Sequence, residues 1–113
     1  MAREAGLVQG TLDMLVLKAL AVGPKHGFGV ARWIEETTAG RLGIEEGALY
    51  PSLHRILARG WITAEWGLSE NNRRARYYRI KPAGRRALAR QTEAWELSVA
   101  AVAQVLAAET GAG

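Results

Sequence analysis

The residues best suited to chemistry fall into two groups: Gly47, Ala48, Tyr50, Pro51, Ser52, His54 and Arg55 in one stretch, and Arg73, Arg74 and Arg76 further along. The first group reads as the leading part of a short helix and the second as one side of a basic hairpin. A short helix fits the major groove of duplex DNA, and arginines beside it can grip the flanking phosphates. Twelve of the fifteen cations are arginine, whose planar fork matches phosphate and guanine edges better than an ammonium does. Between Glu70 and Glu93 there is no acidic residue, while Arg73, Arg74, Arg76, Arg79, Lys81, Arg85, Arg86 and Arg90 all occur there. A charge run is often only a solvated face. This one begins on an expected hairpin, which favours a polyanionic partner.

Catalysis has little to work with. The only histidines, His26 and His54, lie on different segments without a ligand-spaced neighbour, and there is no cysteine. A nucleophile–base set, a zinc-cysteine site and a disulfide scaffold are therefore not expected, nor is any cofactor. His26 should pack or cap a helix end and His54 should face DNA; Lys25 and His26 join the DNA-facing set.

The positioning elements follow from periodicity. Thr11 can cap a first helix with Asp13 in its first turn. Leu12, Leu15, Val16, Ala19 and Leu20 recur at helical spacing until Gly23-Pro24 stops them. A second helix opens at His26-Gly27-Phe28-Gly29, turns Val30, Trp33, Ile34 and Thr37 to one face and ends near Ala39-Gly40. Arg41-Leu42-Gly43-Ile44 is too short for a helix and is expected to add a brief strand. The third helix buries Leu49, Leu53, Ile56 and Leu57, and starts near Gly47 with Pro51 in its first turn, where a missing N–H costs least.

Ile62, Ala64 and Trp66 then alternate with Thr63, Glu65 and Gly67, as Arg76, Tyr78 and Ile80 do with Tyr77 and Arg79, across a polar loop from Leu68 to Arg74. Period two on both sides of a loop is a hairpin. Ile62, Trp66, Tyr78 and Ile80 are expected to pack, and Tyr77 suits either face. The fold class is mainly α with a small β-hairpin: a winged helix-turn-helix over residues 1–81, followed by a C-terminal helix and tail over 82–113.

After Pro82-Ala83-Gly84 a long helix should reach about Ala108. Its Leu88, Thr92, Trp95, Val99, Val102 and Leu106 alternate steps of four and three, the spacing of a helix-pairing seam. Either part of the seam packs on the first helix of the same chain or the seam pairs with a second copy, and a helix that outruns the compact domain favours the second. A two-fold dimer would set two recognition helices roughly 34 Å apart and call for a palindromic operator. At 113 residues and 49% apolar composition the chain makes one ordinary domain. Its apolar stretches fall short of a membrane span and its N-terminus lacks a signal-like core, so a cytoplasmic protein without membrane contact is expected.

Taken in order, Thr11-Leu12-Asp13, Lys25–Val30, Glu46–Arg55, Gly60-Trp61-Ile62, Glu65-Trp66-Gly67 and Arg73–Gly84 resemble the PadR family of bacterial transcriptional regulators from about Thr11 to the end of the long helix. The resemblance implies a homodimeric winged-helix repressor paired through its C-terminal helices, of the short branch with one such helix. Trp95 falls where multidrug-binding members carry a tryptophan that lines a flat pocket between subunits. It implies either a pocket for a small planar aromatic effector or plain packing in the dimer core. Ala48 stands where Ser or Thr is frequent in the family, and Phe28 where Tyr is. The alternative reading is a winged-helix protein-interaction module without DNA binding, against which the basic hairpin speaks. An RNA partner suits the fold less well, since the A-form major groove is too narrow for a helix.

Overall fold

In the computed structural model, residues 10–111 are described. The outer ends of both expected regions, and with them the reading of the N-terminus, lie outside the described residues. The elements run α1 (Thr11–Val22), β1 (Lys25–His26), α2 (Gly27–Thr37), α3 (Glu46–Ala58), β2 (Ile62–Leu68), β3 (Arg74–Ile80) and α4 (Pro82–Ala107).

Helix α1 is the central post. Met14, Val16, Leu17, Ala19 and Leu20 are buried along it, and α2, α3, β3 and α4 all pack against it. Gly10 occupies the N-cap, so Thr11 is the first helical residue instead of the cap. The stripe expected on α3 is buried at Leu49, Leu53 and Ile56, and Val30 and Ile34 fill the space from α2. Helix α3 begins one residue earlier than the proline suggested, with Glu45 as its N-cap, and this moves Pro51 inside the helix. There the missing N–H leaves the Gly47 carbonyl without its usual intrahelical donor. At the other end Gly60, with φ +76°, lets the chain reverse: its N–H reaches the Leu57 carbonyl at 3.0 Å and that of Trp61 reaches Ile56 at 3.0 Å. This pairing satisfies the last carbonyls of α3 and feeds directly into β2.

The sheet has the order β1-β3-β2, all antiparallel. Arg41–Ile44 forms no strand; Lys25–His26 supplies the third strand instead, with Lys25 opposite Tyr78 and His26 opposite Tyr77. A two-residue strand has no room for a period, so only the neighbouring edge of β3 reveals it. The hairpin register runs from Ile62 opposite Ile80 to Leu68 opposite Arg74. Its loop is shorter than expected, since Leu68 and Arg74 both pair. The Ser69 N–H donates to Arg73 O and the Asn72 N–H to Ser69 O, each at 2.8 Å.

Helix α4 leaves the base of the hairpin. The Lys81 N–H donates to the Trp61 carbonyl at 2.9 Å, and a Cβ at Gly84 would run into that same carbonyl, so only glycine allows α4 to cross there. Gly84 and Ala87 are buried in the domain and Leu88 packs against its core. From Glu93 onward every described residue of α4 is exposed, which gives the chain its 65 × 34 × 21 Å outline.

Candidate nucleic-acid interface

Alternation on the hairpin puts Ile62, Ala64, Trp66 and Leu68 on one face together with Ile80, Tyr78, Arg76 and Arg74. Near the base this face covers the core and buries Ile62 and Tyr78. Further out the strands outrun the core, and the same face carries Trp66, Arg74 and Arg76 into solvent. Trp66 was expected to pack but is 60% exposed. Period two identifies a face, not the point at which the core beneath it ends. The Arg74 guanidinium lies 4.4 Å from the Trp66 ring centroid, a cation–π pair that holds both side chains toward the inner side of the wing.

Between this inner face and the leading ends of α2 and α3 lies a cleft of about 450 Å³, walled by Phe28, Arg32, Tyr50, Trp66, Arg74 and Arg76. Phe28 is 61% exposed, with the Arg32 guanidinium 5.4 Å from its ring centroid. Burial, then the neighbouring Tyr78 and Glu46, pushes the Tyr50 phenol above its ordinary pKa. Aromatic faces and arginines together suit a sugar–phosphate strand, which offers both apolar edges and charge.

The expected contact residues divide. On α3, Gly47, Ala48, Tyr50, Pro51 and His54 are exposed, as are Arg73, Arg74 and Arg76 on the wing. Ser52 is not available to DNA. It is wholly buried and donates to Asp13 Oδ1 at 2.5 Å. Arg55 is exposed along its length, but its head is committed to the same carboxylate: Nε donates to Oδ2 at 3.0 Å and Nη2 to Oδ1 at 2.7 Å. Lys25 also turns away, donating to the Ala19 and Gly23 carbonyls at 2.7 and 3.1 Å. It thereby closes the C-terminal end of α1, and burial lowers its pKa. His26 caps α2, its Nδ1 accepting the Gly29 N–H at 2.9 Å, while its ring meets Tyr77 edge-on at 5.5 Å.

The long cation run is split by the fold. Arg79 lies on the outer side of the wing, 3.6 Å from Glu65, and Arg85, Arg86 and Arg90 ride on the first half of α4. Only the three arginines nearest the wing tip share the cleft. Phe28, Arg32 and Trp66 line it without having been assigned to it in the sequence. Phe28 sits in the motif that opens α2, Arg32 follows one turn later on the same helix, and Trp66 lies on the strand face expected to pack.

Asp13 is the electrostatic centre behind α3. Burial works to raise its pKa, but hydrogen bonds from Arg55 and Ser52 and the charges of Arg55 and Arg59 outweigh this and hold the carboxyl below its usual range. The same bond raises the Arg55 pKa. Among the described residues no group of His, Cys, Asp or Glu is placed to hold a metal, and no helix is long and apolar enough to cross a membrane.

On α4, Trp95, Ser98, Val99, Val102, Ala103 and Leu106 border an open apolar hollow of about 420 Å³. Of the expected seam, Trp95, Val99, Val102 and Leu106 are exposed, Thr92 is half-buried and Leu88 leans on the domain of its own chain. Trp95 also borders a second hollow, of about 360 Å³, whose other wall is Gly10, Thr11 and Met14 at the start of α1.

Among the described residues, four helices, a three-stranded antiparallel sheet and a basic wing beside an exposed helix define a winged helix-turn-helix domain. The sequence pattern of the transcriptional regulator PadR-like family matches residues 16–90, and the chain belongs to that family, as a regulator of transcription and not an enzyme. A transcriptional regulator from Clostridium thermocellum superposes with a TM-score of 0.78 and 29% identity over 85% of this chain and 93% of that one. A 37.1 kDa protein of transposon TN4556 from Streptomyces fradiae is 39% identical over 70% of this chain, which spans 21% of that relative's length. Bacillus subtilis PadR, solved in complex with operator DNA, shares the fold with a TM-score of 0.64 at 18% identity, over 73% of this chain and 47% of that one.

Proposed function

We propose that the chain acts in the cytoplasm as a homodimeric repressor that binds a palindromic operator. In this reading the outer face of α3, at Gly47, Ala48, Tyr50, Pro51 and His54, enters the major groove, and Arg73, Arg74 and Arg76 hold the adjacent phosphates. The observation that carries it is the cleft: Tyr50 of α3 and the wing's Arg73, Arg74 and Arg76 line one opening, and Gly47, Ala48, Pro51 and His54 are exposed on the same helix. The operator complex of the B. subtilis relative with the same fold supports a DNA partner.

The domain up to the wing does the reading and the distal half of α4 does the pairing. A row of Trp95, Val99, Val102 and Leu106 left in water would be unfavourable, and a two-fold partner offers the same row in return. Trp95, bordering both hollows, is the residue through which a small planar aromatic effector would act on this dimer. Selection of bound duplexes from a random DNA pool tests the proposal. Recovery of a palindrome with half-sites about one helical turn apart supports it, and absence of any enriched sequence favours a protein-interaction module instead.

A further inference from the structure

We infer that Asp13 is a positioning residue for the recognition helix, and that Arg55 acts through Asp13 instead of through a DNA phosphate. This deepens the DNA-binding reading and rests on it. Asp13 sits in the first turn of the buried post α1, and its two carboxylate oxygens take three donors from consecutive turns of α3: Ser52 Oγ at 2.5 Å, Arg55 Nε at 3.0 Å and Arg55 Nη2 at 2.7 Å. Charge-assisted, forked bonds of this kind fix orientation as well as distance. Both donors therefore tie the face of α3 behind its exposed residues to a rigid neighbour.

The position of the clamp matters for reading bases. Ser52 and Arg55 bracket His54, and Ser52 directly follows Tyr50 and Pro51, so rotation of α3 about its axis would carry all three exposed residues out of register with the groove. The apolar stripe of Leu49, Leu53 and Ile56 holds α3 against the core, but apolar packing is non-directional. The carboxylate supplies the missing direction. It also removes one cation from the surface presented to DNA, so the charge that grips phosphate is the wing's.

Salt-dependent binding of the full chain to its selected operator and to a scrambled duplex tests this, using Asp13→Asn, Arg55→Gln and the double variant. Asp13→Asn should lower the ratio of operator to scrambled affinity by roughly tenfold, the scale of a lost charge-assisted bond. Arg55→Gln should lower that ratio similarly while leaving the salt slope unchanged, and the double variant should fall no further than either single change. A slope reduced by about 0.9 per Arg55 would make it a phosphate contact and overturn the inference, as would an unchanged ratio in Asp13→Asn. Amide exchange without DNA gives an independent arm: Asp13→Asn should speed exchange in α3 more than in α2, and equal acceleration overturns the clamp. If the unaltered chain binds no duplex, the DNA reading fails by itself, and the exchange arm still judges the clamp.

Discussion

Neutralising Arg73 and Arg74 on the wing should change how binding responds to salt more than how it responds to sequence. Both side chains are exposed near the tip, and Arg74 is steadied by Trp66 at 4.4 Å. If each contacts one phosphate, two subunits release counterions at four phosphates, and Arg73→Gln/Arg74→Gln should flatten the slope of log affinity against log salt by roughly 3.6. Between 50 and 200 mM salt that difference amounts to a relative change on the order of 100-fold. Fluorescence anisotropy with a labelled operator over a salt series measures it directly. Arg79→Gln is the internal control: it belongs to the same sequence run but faces Glu65 on the outer side of the wing, and should move the slope little. An unchanged slope in the double variant, or an equal change in the control, would refute the assignment of the grip to the inner face.

Three further outcomes are expected. Trp95→Glu places a charge at the leading end of the exposed row on α4 and should leave the protein monomeric by light scattering; a dimer of unchanged stability would put the interface elsewhere. Gly84→Ala forces a methyl against the Trp61 carbonyl and should destabilise the fold by about 1–3 kcal/mol in chemical denaturation, as over-packing does. Asp13, whose carboxyl is held below the ordinary value of 3.8, contributes stability that is full above that unfolded value and is lost as pH falls through the lower folded value. The acid limb of the unfolding curve should therefore shift less with pH in Asp13→Asn than in the unaltered chain.

The helices, the hairpin and the inward stripes were legible because each obeys a period that burial imposes on a single element. Ser52 and Arg55 were not, because on a helical wheel they fall off the stripe and look free. Only the folding of α1 against α3 brings Asp13 to them across 39 and 42 positions of sequence. The bonds of Lys25 were hidden for a similar reason, since the carbonyls it closes are those of Ala19 in the preceding helix and of Gly23 at its cap. Trp66 shows the converse failure: its face was correctly placed, but the strand extends beyond the core that would have covered it. Pro51 was set in the first turn by a positional preference, whereas α3 tolerates it one turn later, on a solvent-facing position.

The central claim is that two copies of the chain place two α3 helices on one operator. Hydroxyl-radical footprinting of the selected duplex, with the mass of the complex determined on the same sample, tests it most directly. Two chains per duplex are expected, with two protected half-sites roughly 34 Å apart, each flanked by protection from the wing. One chain per duplex, or a single protected patch without two-fold symmetry, would contradict it.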